Sequence, residues 1–82
     1  MANGERMISP EQRKLMLQAH SIGPTMLRYL EEIGVERLSE LRGADPEEIA
    51  MRMNIALGRR HINRQGVAAL RNLIELANSE PS

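Results

Sequence analysis

His20-Ser21-Ile22-Gly23-Pro24 interrupts the chain in a way that decides its fold. A proline drives the residue before it out of the helical region, and a glycine in that place is the ordinary mark of a turn. Any helix arriving from the N-terminal side must stop short of Gly23, while Pro24, with its fixed φ, suits the first position of another. Upstream, Ser9-Pro10-Glu11-Gln12 supplies a capping hydroxyl, a proline at the first helical position and a glutamine able to close a capping box. The spacing predicts a helix from Pro10 to near Ala19, with Leu15, Met16 and Ala19 on its apolar face. Downstream, Met26, Leu27, Leu30 and Ile33 recur at helical spacing, and Gly34 suits the left-handed position that ends a helix.

The same punctuation divides the rest of the chain. Val35 to Arg42 reads as a shorter amphipathic helix with Leu38 and Leu41 inside, closed by Gly43. Asp45-Pro46-Glu47-Glu48 repeats the starting signal, so a fourth helix runs from Pro46 to Gly58 and buries Ile49, Met53, Ala56 and Leu57. Asn63 then caps a last helix carrying Val67, Leu70, Ile74 and Ala77. No strand alternation occurs anywhere, so an all-α domain of five helices is expected: two helical hairpins joined by a short connector helix, a SAM-domain-like bundle. Residues 1–8 are expected to be a disordered segment, 9–78 the domain, and 79–82 a frayed tail, with the end of the last helix placed at Ala77 and Asn78 already outside it. The expected core is Ile22, Leu27, Leu30, Leu38, Leu41, Ile49, Met53, Leu57, Leu70 and Ile74.

Composition removes several classes of function. Eighty-two residues suffice for one domain, and six Met with neither Phe nor Trp give it an aliphatic, methionine-rich core. A domain of this size buries only about 60 to 65% of its unfolded surface, which leaves no room for an enclosed active site, and no cofactor is expected. With no Cys there is no disulfide framework, thiolate metal site or thiol catalysis, and His20 and His61 cannot complete a zinc site alone. No apolar run approaches the roughly 20 residues of a membrane span, and Met1-Ala2-Asn3-Gly4-Glu5-Arg6 lacks the apolar stretch of a secretory signal, so a cytoplasmic location is expected. Glu31, Glu32, Glu36 and Glu40 fall on helical spacing as a solvent face with no nucleophile and base beside them, and the chain does not read as an enzyme.

His20-Ser21-Ile22-Gly23-Pro24, followed by an amphipathic helix ending Leu30-Glu31-Glu32-Ile33-Gly34-Val35, resembles the helix-hairpin-helix motif of nucleic-acid-binding proteins. The likeness continues through Leu38-Ser39-Glu40-Leu41 and Ala44-Asp45-Pro46-Glu47-Glu48-Ile49, which look like the family's connector and the start of its next helix. Over residues 15–77 the pattern is most similar to a small bacterial group of such proteins, the pathogenicity-locus or mitomycin-resistance-like group. The resemblance implies a hairpin whose backbone N–H groups, aided by the positive end of the helix dipole, hold a DNA phosphate. It places Ser21, Ile22, Gly23 and Thr25 at that hairpin, with Gly23 at the family's second glycine, Ser21 in place of the first and Thr25 where lysine is common. Ser21 can donate its hydroxyl to phosphate, but it restricts the positive-φ geometry a glycine would permit. Arg28, one turn after Thr25, is placed for a side-chain contact.

Formal net charge is zero, yet it is unevenly spread: residues 31–50 hold seven acids and two bases, residues 51–75 five arginines and one acid. Arginine offers a fixed fork of donors that suits phosphate oxygens. Gly58-Arg59-Arg60-His61-Ile62-Asn63-Arg64 departs from the glycine pattern, but Arg59, Arg60 and Arg64 form a phosphate-binding patch next to the last helix. The function expected is a non-enzymatic, largely sequence-independent DNA-binding module that touches duplex phosphates across the minor groove through both hairpins on one edge. The alternative is a protein-protein interaction module on the same scaffold, whose acidic face from Glu31 to Glu48 docks a basic partner or the basic half of a second copy. A monomer or weak homodimer is expected, with any association weakened by salt.

Overall fold

Orphan backbone amides at a helix start need acceptors, and short polar side chains provide them at three of the four α-helices. The computed structural model describes residues 7–58 and 62–80. Helix α1 (Pro10–Met16) begins at Ser9, whose Oγ accepts the Gln12 N–H at 3.2 Å. Helix α2 (Pro24–Glu32) begins at Gly23 with no capping side chain. Asp45 caps α3 (Pro46–Leu57) by accepting the Glu47 N–H at 3.0 Å, and Asn63 caps α4 (Arg64–Ser79) by accepting that of Gly66 at 3.0 Å. At its far end α3 stops on Gly58, as expected, and that glycine takes the left-handed φ of +80°.

The described residues are all-helical and contain no strand, but the expected connector helix is reduced to a 3-10 helix, so four α-helices stand where five helices were expected and the SAM-like bundle is not matched exactly. Leu38–Leu41 forms a single 3-10 turn. Gly34 and Gly43 both adopt positive φ, so only eight residues separate two reversals, and the Glu40 carboxylate closes the turn by accepting the N–H groups of Glu36 (3.2 Å) and Arg37 (3.1 Å). Helix α1 stops at Met16, three residues short of Ala19, because the bonding tightens: Gln18 and Ala19 donate three residues back, to Leu15 and Met16.

Helix α4 packs against α3 and the 3-10 turn, α2 against α3, and α1 against the 3-10 turn. The two arms of the first connection thus have different main partners instead of closing tightly on each other. Gln12 shows why: it does not close a capping box, and its Oε1 accepts the Leu38 N–H at 2.8 Å. Arg13 still reaches Glu31 of α2 at 3.6 Å, and Glu31 also accepts the Ile8 N–H at 2.9 Å. The radius of gyration, 12.0 Å, is what a compact domain of this length should have.

Every expected core residue is buried except Leu57, which is half-buried at the end of α3, and Ala56 of the same stripe is exposed. The core also takes in Leu73, with no exposed surface, and Ile8, 3% exposed, which lies inside the segment expected to be disordered. At the other end Arg42 donates from Nε to the Ala77 carbonyl (3.1 Å) and from Nη2 to that of Glu80 (2.8 Å), while Asn78 Oδ1 accepts the Gly43 N–H (2.9 Å). These bonds satisfy the carbonyls of Ala77 and of Glu80 just past α4, and so tie the start of the tail expected to fray to the segment after the 3-10 turn. None of the described helices is long and apolar enough to cross a membrane.

One glycine fits only because it has no side chain. A Cβ at Gly66 would lie 2.7 Å from Cγ2 of buried Ile62, and a β-branched side chain cannot swing away. Gly66→Ala, which on an open helix would gain about 1 kcal/mol, should instead destabilise by about 1 to 2 kcal/mol. Thermal or urea unfolding checks the sign.

Candidate nucleic-acid interface

The first connection turns on a backbone outlier. Ser21 adopts φ +71°, the one non-glycine residue with positive φ among the described residues. The left-handed geometry is therefore present with serine, at a cost of about 1 to 2 kcal/mol that glycine would not carry. Ile22 follows, 8% exposed, with its N–H donating to the Ala19 carbonyl at 3.2 Å, and it anchors the turn in the core while Ser21 stays exposed. Ser21→Val should therefore lose about 1 to 3 kcal/mol, since a β-branched residue is strained there. Ser21→Gly should lose nothing. Denaturant titration of the two variants distinguishes them.

Gly23 behaves differently. It is extended, at φ −126° and ψ −177°, a conformation open to any residue, and a Cβ built on it meets nothing within 4 Å. Nothing in the fold requires a glycine at this place, and the space beside it opens outward at the uncapped start of α2.

Four of the expected site residues line three surface depressions. Ser21 shares one with Met26 and with Asn63, Gln65 and Gly66 at the start of α4. Thr25 and Arg28, both exposed, line another with Tyr29 and Leu57. Arg64 lines a groove between α3 and α4 that shares Asn63 with the Ser21 depression. The structure thus brings the starts of α2 and α4 together, and with them Ser21 and the neighbourhood of Arg64, but it does not place Thr25 and Arg28 in the same depression as Ser21. Arg59 and Arg60 lie outside the described residues. They follow directly on Gly58, which itself follows Leu57 beside Thr25 and Arg28.

Comparison with known proteins gives one partial likeness. Over 40 residues the chain is 40% identical to the mitomycin resistance protein McrB of Streptomyces lavendulae. The likeness covers 49% of this chain and 38% of that protein, so this chain matches well under half the length of its relative. No family model and no solved structure matches.

Two asparagines that sequence reading passed over hold the connections in place. Asn72, in the middle of α4, donates from Nδ2 to the His20 carbonyl at 2.9 Å, fixing the first turn to the last helix. Asn54 of α3 accepts the Ile62 N–H at 2.9 Å through Oδ1, fixing the return of the second connection. The available signal was asparagine in a helix interior, where its propensity is poor and its amide needs partners.

The acidic face is less free than its charge suggests. Glu31 holds Arg13 and the Ile8 amide, Glu40 accepts two backbone amides, and Asp45 caps α3. Because α2 ends at Glu32, Glu36 and Glu40 do not continue its solvent face. Among the described residues no three His, Asp or Glu side chains are grouped to hold a metal ion.

Proposed function

We propose that this chain is a non-enzymatic, largely sequence-independent DNA-binding module of the helix-hairpin-helix kind, which holds duplex phosphates with backbone amides at the start of α2 and with arginines of the second connection. The observation that carries the reading is Gly23. It has neither a conformational nor an internal steric reason to be glycine, and it stands at an uncapped helix start, where an incoming phosphate needs close backbone approach and a positive dipole end. Ser21 supplies a hydroxyl from its left-handed turn, Ile22 anchors that turn, and Thr25 and Arg28 extend the contact along α2. Arg64, one residue from Asn63, adds charge beside the Ser21 depression, and in sequence Arg59 and Arg60 add two further arginines to the same connection.

Fluorescence anisotropy with a labelled duplex and the matching single strand, at low and at physiological salt, tests the reading. Weak duplex binding with a log–log salt slope of about −2 to −4 is expected, since few phosphates are contacted. Absence of duplex binding at low salt rejects it.

A further inference from the structure

Four large apolar side chains are exposed among the described residues, Met7, Leu17, Met51 and Ile55, and the last two lie one turn apart on α3. Met51 is 58% and Ile55 73% exposed, and they project from the side opposite buried Ile49 and Met53. One flank of this stripe carries Glu48 and Arg52, both exposed and also one turn apart. On the other flank opens the groove between α3 and α4, whose lining includes Glu47, Ala50, Met51, Ile62, Arg64 and Val67.

We propose that this face binds the same face of a second copy of the chain, the two α3 helices running antiparallel about a two-fold axis beside Met51. A two-fold interface has to be complementary to itself, and this face is. With the axis at Met51, that side chain meets Met51 of the partner subunit. Ile55, one turn further on, packs across the seam against the partner's apolar stripe at the level of Glu47 of the partner subunit, and the exchange occurs twice. Side chains on the same flank of two antiparallel helices face each other, so Glu48 comes beside Arg52 of the partner subunit and Arg52 beside Glu48 of the partner subunit. A parallel pairing about a two-fold axis would instead set Glu48 and Arg52 against the partner's other flank and leave them away from each other. Zero net charge adds no overall repulsion between copies. Two exposed aliphatic side chains per copy make a small interface, so the dimer is weak. Ser21, Gly23 and Thr25 are not on this face, and although Arg64 lines its groove, the dimer is tested without DNA and through Ile55, Glu48 and Arg52, which the DNA reading does not use.

Sedimentation of the full chain without DNA, from micromolar to millimolar concentration, tests the proposal. A concentration-dependent dimer is expected. Ile55→Lys should raise its Kd about tenfold or more while leaving the helical circular dichroism unchanged, because the side chain it replaces is exposed. Glu48→Arg and Arg52→Glu should each weaken the dimer, and the two together should restore it. In a chain without cysteine, Met51→Cys should form an intermolecular disulfide under mild oxidation, whereas Leu17→Cys, exposed on another element, should not. A parent that stays monomeric at millimolar concentration overturns the proposal. So does an Ile55→Lys dimer as tight as the parent, or a failure of the double reversal to recover association.

Discussion

Leu30→Ala should destabilise the domain by about 2 to 5 kcal/mol. The side chain has no exposed surface, and α2, nine residues long, buries only Leu27 and Leu30. Shortening one of the two removes a large part of what binds that helix to α3, and the cavity left behind adds to the lost transfer energy. An 82-residue domain holds about 4 to 12 kcal/mol in total, so the loss would leave a substantial unfolded fraction under mild denaturant. Leu30 also ends the helix, its carbonyl accepting the N–H groups of both Ile33 (3.2 Å) and Val35 (3.0 Å), so a loosened α2 should carry its C-terminal turn with it. Ile55→Ala, on the exposed side of α3, should change stability by less than about 0.5 kcal/mol. A urea titration in which Leu30→Ala costs under 1 kcal/mol would contradict the packing described.

What was legible in the sequence is what local chemistry dictates. Ser9, Asp45 and Asn63 announce their helices because an N-cap oxygen answers amides two or three residues away. Leu27, Leu30, Met53 and Leu70 announce the core because helical spacing alone puts them on one face. What was not legible depends on residues far apart in sequence. Gln12 looks like half of a capping box, and only the arrival of Leu38, 26 residues later, gives its oxygen a better donor. Arg42 looks like a surface charge until the end of α4 brings two carbonyls to it. The connector shrinks to a 3-10 turn because two left-handed glycines leave it no length, a constraint that the apolar spacing of Leu38 and Leu41 does not reveal. At the candidate site the turn and its glycine were readable. The division of Ser21 from Thr25 and Arg28 was not, because it depends on where α3 and α4 meet the start of α2.

Replacing Arg59, Arg60 and Arg64 by Ala should abolish most of the salt dependence of duplex binding, making the log–log slope shallower by about 2 to 3. Each arginine that neutralises a phosphate releases close to one counterion, and three such contacts would account for nearly all of a slope of −2 to −4. Affinity at low salt should fall with it, and folding should not, since Arg64 is exposed at the first position of α4. Gly23→Ala should fail in the opposite manner. Its φ of −126° suits alanine and its Cβ would meet nothing, and what alanine gains through a less flexible unfolded chain is offset by its poorer fit to a helix N-cap, so stability should stay within about 1 kcal/mol of the parent. The same methyl stands where a phosphate must approach the amides at the start of α2, so duplex binding should weaken while the salt slope keeps most of its value. A protein that keeps its stability and loses DNA in one substitution separates the ligand's demand for glycine from the fold's. If Gly23→Ala folds as stably as the parent and binds duplex DNA as well, the α2 helix start is not the phosphate site, and binding, if the arginine variant loses it, belongs to the second connection alone.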